Sequence, residues 1–278
     1  MNTPLVTTAW LEEHLEDPDV RVFDVCNVPD NTAYRRGHIP GATWWYWKDL
    51  CWHETDREFI TSEAAARLLG AAGVGPQTTL VFSGDPVQFG TYAFWAFTMA
   101  GHIDVRLLDG AGTKWLAEGR PLTIDIPRFS AVAYEPRPGD TTMRLGRDDV
   151  REKLGEPGRL LLDVRTPEEY SGERVAGYPD PDHGAERKGR IPGAVHLYFR
   201  DLLNDDDTFK SADDLWAAFG RLGIGPADPR ELVVYCRLSH RASLTWVALR
   251  YLLGHENVRM YDGSWTEWGS IVGFPVEK

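Results

Sequence analysis

The chain has little cysteine: Cys26, Cys51 and Cys236 are the only three in 278 residues. An odd, scattered set builds neither a disulfide framework nor a zinc site, so no metal and no cofactor are expected. Long apolar runs are missing too. The longest, Tyr92 to Ala100, falls far short of the ~20 residues that span a bilayer, which excludes a membrane-spanning helix. Basic charge is scarce, with 30 Lys and Arg against 42 Asp and Glu, a formal −12. Such an acidic surface disfavours nucleic acid and anionic membrane as partners. It also makes any cluster of arginines a local feature. Met1 to Pro18 is acidic and lacks the basic and apolar regions of a secretory leader. With unpaired thiols, this makes a reducing cytoplasm the expected compartment. What remains is an ordinary globular balance of 42% hydrophobic and 26% charged residues.

One thiol stands in a chemically suggestive place. The run Leu232-Val-Val-Tyr-Cys236-Arg-Leu-Ser-His-Arg241 reads as a β-branched strand and a polar loop opening with cysteine, followed by an apolar helix over Ala242 to Leu253. A helix N-terminus presents unpaired N–H groups and about half a positive charge. A cysteine facing it, with Arg237 and Arg241 nearby, is expected to ionise easily and act as a nucleophile. The plain alternative is a small buried hydrophobe at a strand end, which the two arginines and the polar loop argue against.

The chain is written twice. Phe23-Asp-Val matches Leu162-Asp-Val, and Gly37-His-Ile-Pro-Gly-Ala42 matches Gly189-Arg-Ile-Pro-Gly-Ala194. Val105-Arg-Leu-Leu-Asp-Gly110 matches Val258-Arg-Met-Tyr-Asp-Gly263. The extra residues of the second copy fall in the polar stretch Ser171 to Lys188, which reads as a surface loop. The domains are therefore expected at 1–128 and 142–278, with 129–141 as the linker. In each copy strands alternate with helices, with Ser62 and Ser211 as helix N-caps. That pattern predicts an α/β fold with a mostly parallel central sheet flanked by helices. Ligands of such sheets bind beyond the carboxyl ends of the strands, where Cys236 lies. Aligning Leu80-Val-Phe-Ser83 with Val233-Val-Tyr-Cys236 puts Ser83 in the cysteine's place. The first loop has no arginine, so the first copy reads as inactive and the second as catalytic.

The doubled Asp-Val start, the Ile-Pro-Gly-Ala element, the Tyr-Cys-Arg loop and the Asp-Gly-Ser-Trp ending together resemble the tandem-domain rhodanese family of thiosulfate and 3-mercaptopyruvate sulfurtransferases. The resemblance runs from about Val6 to Val276. It implies two rhodanese-like domains and a sulfurtransferase that moves sulfane sulfur from thiosulfate to cyanide or a thiol through a Cys236 persulfide. The six-residue loop Cys236 to Arg241 is one residue shorter than that of the related phosphatases. A cationic loop suits thiosulfate. The alternatives are a 3-mercaptopyruvate enzyme or a persulfide carrier without turnover.

The resemblance assigns Arg165 to the substrate anion, against a salt bridge to Glu168 or Glu169. Arg241 is placed either to turn toward the anion or to brace the loop. Arg237, Ser239 and His240 complete the substrate-binding candidates, with solvated readings open for Arg237 and His240. The aromatic group Trp44-Trp-Tyr-Trp47 reads as packing rather than a ligand box. Cys51 with His53 is too small a set for a metal.

Overall fold

The computed structural model describes residues 3–278 and divides into two compact units. One comprises residues 4–141 with 205–208, the other 142–204 and 209–278. The first holds strands β1 (Leu5–Val6), β2 (Val20–Cys26), β3 (Ala42–Tyr46), β4 (Thr79–Asp85) and β5 (Val105–Leu108) in the order β1-β5-β4-β2-β3. The second holds β6 (Arg144–Leu145), β7 (Arg159–Asp163), β8 (Val195–His196), β9 (Glu231–Tyr235) and β10 (Val258–Tyr261) in the order β6-β10-β9-β7-β8. Every ladder in both sheets is parallel.

Central strands of parallel sheets are covered on both faces, so they are written as apolar runs. Leu80 to Phe82 in β4 and Leu232 to Tyr235 in β9 are all fully buried. The helix Val87–Met99 is buried on nearly every side, which explains its weak amphipathic pattern. Ser211 caps the helix Ala212–Gly220 as expected, accepting from the Asp214 N–H at 3.2 Å. The cap of the helix Ser62–Ala71 is Thr61, one residue earlier than Ser62, with its hydroxyl 3.2 Å from the Ala64 N–H.

The segment 129–141 belongs to the first unit and is tied to the rest of it. The Val132 N–H donates to the Gly70 carbonyl, the Asp140 N–H to that of Met99, and the Arg21 guanidinium sits 4.1 Å from the Phe129 ring centre. Trp47 packs on Trp52 (4.5 Å), Tyr92 (5.8 Å) and Phe89 (5.9 Å), as core material. Among the described residues no helix is long and apolar enough to cross a membrane, and no His, Cys, Asp and Glu cluster could hold a metal.

Candidate active site

The site is built where β9 ends. Tyr235 is the last strand residue and Cys236 opens the turn. The helix starts at His240, two residues before the expected Ala242, so the loop proper is Cys236 to Ser239. Ser239 makes this turn possible by adopting the left-handed region (φ +72°). A left-handed residue next to a helix start can turn successive N–H groups to one side, as in an anion nest. Among the described residues, the N–H groups of Arg237, Leu238, Ser239, Arg241 and Ala242 donate to no protein acceptor. The loop is pinned from outside by the β10 turn. The Cys236 N–H donates to Ser264 Oγ (3.2 Å), and the Trp265 N–H donates to the Cys236 carbonyl (2.9 Å). Cys236 itself is 1% exposed.

The structure sorts the candidate residues. Arg241, in the first helical turn, aims its fork at Glu169: Nη1 donates to Oε2 at 2.6 Å and Nη2 to Oε1 at 2.9 Å. Burial lowers the Arg241 pKa, but Glu169, then Cys236 and Asp163, outweigh it, and the guanidinium is held firmly charged. Glu169 is fully buried and sits in a capping box, its carboxylate accepting from the Thr166 N–H at 3.0 Å. Burial pushes its carboxyl up, yet Arg241, then Arg165 and the Thr166 N–H, hold it below the usual carboxylate range.

Arg165 is fully buried as well. Its partner is neither Glu168 nor Glu169. Nε and Nη2 donate to Asp163 (2.9 and 2.6 Å), and Nη2 also reaches the Gly189 carbonyl (2.7 Å). Its guanidinium stacks 4.7 Å from the Trp265 ring centre, and only Nη1 is left without a hydrogen bond. Arg237 turns toward the polar insertion, with Nη2 3.5 Å from Asp180 and Nη1 3.3 Å from the His183 carbonyl. The Ser239 hydroxyl is directed inward, donating to the Asp262 carbonyl beside Ser264 Oγ, which leaves the Ser239 N–H to face the nest. His240 is buried in the first helical turn rather than solvated.

Sequence reasoning therefore missed Glu169 as a member of the site. The Thr166-x-x-Glu169 capping signature was readable, but its pairing with Arg241, 72 residues away, was not.

The alignment of Ser83 with Cys236 also needs correction. Ser83 pairs in register with Asp24, whereas Tyr235 pairs with Asp163. On the other side Leu80 pairs with Val105, as Leu232 does with Val258. Both ladders thus put Ser83 at the place of Tyr235 and Gly84 at that of Cys236. A Cβ at Gly84 would lie 2.2 Å from the Gly90 backbone nitrogen, so no side chain fits there.

Comparison with known proteins agrees with this architecture. The rhodanese-like domain matches residues 7–118 and again 146–271. The chain is 46% identical over 279 residues to the "Sulfur carrier protein TtuD" of Thermus thermophilus, covering 99% of this chain and 96% of that protein. It is 40% identical to a "Putative thiosulfate sulfurtransferase" of Saccharopolyspora erythraea, covering 98% and 95%. The solved structure of wild-type EanB superposes with a TM-score of 0.83 at 27% identity, covering 99% of this chain and 69% of that one. An anaerobic ergothioneine biosynthesis enzyme from Chlorobium limicola does so at 0.83 and 26%, covering 99% and 70%.

Proposed function

The chain belongs to the rhodanese-like domain family, and from that premise we propose that it is a sulfurtransferase whose Cys236 carries sulfane sulfur as a persulfide, with thiosulfate as donor and cyanide or a thiol as acceptor. One observation carries the reading. The thiol opens a nest of N–H groups without protein acceptors, at the carboxyl end of the central strand, with Arg241 at its far side.

The chemistry follows from these residues. The Cys236 sulfur attacks the outer sulfur of thiosulfate as a thiolate. The donor's S–S bond breaks, its electron pair leaves with sulfite, and an S–S bond forms on Cys236. The acceptor then attacks the terminal sulfur, and the electron pair returns to Cys236. No outside electron is needed. The nest N–H groups offer hydrogen bonds to the anionic sulfur in both half-reactions. Arg241, paired with Glu169, fixes the helix start. Asp163 holds Arg165 under the end of β7, and Arg165 Nη1 remains as a donor. In thiosulfate the atom attacked is the terminal sulfur, which reaches the nearly buried Cys236 end-on, whereas attack on phosphate would have to reach the central phosphorus.

The test is mass spectrometry after thiosulfate treatment, with steady-state cyanide assays alongside. One added sulfur is expected on Cys236 and none on Cys26 or Cys51, and Cys236→Ala is expected to lose both adduct and turnover. Activity surviving in that variant would overturn the assignment. The similarity to a protein named as a sulfur carrier supports a second reading, in which the persulfide is handed to a protein without turnover on small molecules. Persulfide formation on Cys236 without cyanide turnover would favour it. A kcat/KM for 3-mercaptopyruvate well above that for thiosulfate would favour the keto-acid alternative.

A further inference from the structure

The acidic chain was expected to concentrate positive charge at this loop, yet each candidate arginine has its own carboxylate. Arg165 has Asp163 (2.6 Å), Arg241 has Glu169 (2.6 Å) and Arg237 has Asp180 (3.5 Å). The three pairs are not equivalent. Asp180 is 60% exposed, and an exposed pair is weak and screened by salt. Glu169 is wholly buried, presents both oxygens to the Arg241 fork and is locked by the Thr166 capping box. It cannot swing away when an anion arrives. An anion in the nest therefore meets Arg241 and Glu169 as a fixed pair, not as a free cation.

We propose that Glu169, assisted at the rim by Asp180, is a specificity-determining residue that restrains the arginine charge of the site and so trims the advantage a dianionic sulfur donor would otherwise hold over donors of single negative charge. This deepens the sulfurtransferase reading and rests on it. Donors of single negative charge, such as 3-mercaptopyruvate, gain by comparison. Thiosulfate, with two charges, is accepted with a weak grip. The reason is the distance law of charge interactions: the carboxylate's repulsion acts on each charge of the donor and so weighs more on the dianion.

The experiment uses the full chain and measures kcat/KM for thiosulfate and for the singly charged 3-mercaptopyruvate, in wild type and in Glu169→Gln. Removing one negative charge several ångströms from the nest should raise the thiosulfate to 3-mercaptopyruvate ratio about fivefold or more, mainly through a lower KM for thiosulfate. A purely structural brace would depress both donors alike, and an unchanged or lower ratio overturns the proposal. Should Glu169→Gln fail to fold, Asp180→Asn stands in at the exposed rim. There a rise of about twofold is expected, because screening weakens exposed charges, and a flat ratio overturns the proposal as well. Failure of both donors to load sulfur on wild-type Cys236 would overturn the reading beneath it instead.

Discussion

Ser239 holds the loop in shape by a compromise within one residue. An L-residue in the left-handed region costs roughly 1 kcal/mol, which glycine avoids. Here the hydroxyl offsets that cost through its bond to the Asp262 carbonyl, and Ser264 Oγ lies 3.1 Å away. The two contributions separate by mutation. Ser239→Ala keeps the strain and loses the hydroxyl, with an expected destabilisation of about 1–3 kcal/mol. Ser239→Gly loses the same hydroxyl but relaxes the backbone, and should cost about 1 kcal/mol less than alanine. Urea midpoints of the three proteins decide the matter. Alanine proving equal to or better than glycine would mean that φ at this position carries no strain.

At the scale of elements, the Cys236 loop depends on a segment it does not adjoin in sequence. The turn after β10 carries Ser264 and Trp265, whose hydroxyl and N–H fix Cys236. That turn and the strand-free segment after it are gathered by Arg187, at the end of the polar insertion. Its guanidinium donates to the carbonyls of Gly269 (3.0 Å), Phe274 (2.6 Å), Trp268 (2.9 Å) and Ile271 (2.8 Å). The Trp265 indole N–H in turn donates to the Arg187 carbonyl at 3.0 Å. A lysine has three donors on one point and cannot span four carbonyls held in different directions. Arg187→Lys is therefore expected to cost about 2–4 kcal/mol, since buried carbonyls lose charged donors. Hydrogen exchange of the Trp265 and Thr266 amides should quicken in step. A loss below about 0.5 kcal/mol would show that the clasp is redundant.

Over the whole molecule, what was legible in the sequence was what repeats or is local. The doubled Asp-Val and Ile-Pro-Gly-Ala elements gave two units, and apolar runs gave the parallel strands. The setting of Cys236 was legible because a strand end, a polar loop and a helix start are contiguous. Long-range pairing was not: nothing near Arg241 names Glu169, and nothing near Arg237 names Asp180. The register of β4 was also hidden. Ser83 resembles cysteine chemically, but the ladders with β2 and β5 fix the strand one residue out of step with that likeness.

The same duplication has a consequence for stability against pH. In the second unit Asp163 is clamped by Arg165, while in the first the matching position to Arg165 is Cys26, so Asp24 has no such cation. Burial first, and the neighbouring Asp85 second, raise the Asp24 pKa to about 7. An unfolded aspartate titrates near ~3.9. Between those values the folded chain holds a proton that the unfolded chain has released. Stability from this group is therefore complete below pH ~4 and is lost as pH climbs through about 7. Asp24→Asn keeps the neutral form at every pH. The variant should match wild type at pH 4 and exceed it by roughly 2–4 kcal/mol at pH 8, the worth of about two to three pKa units. Denaturant unfolding at both pH values, followed by tryptophan fluorescence of the first unit, measures the difference. An equal effect of the substitution at pH 4 and pH 8 would mean that Asp24 is ionised throughout, and that some other group compensates for the missing arginine.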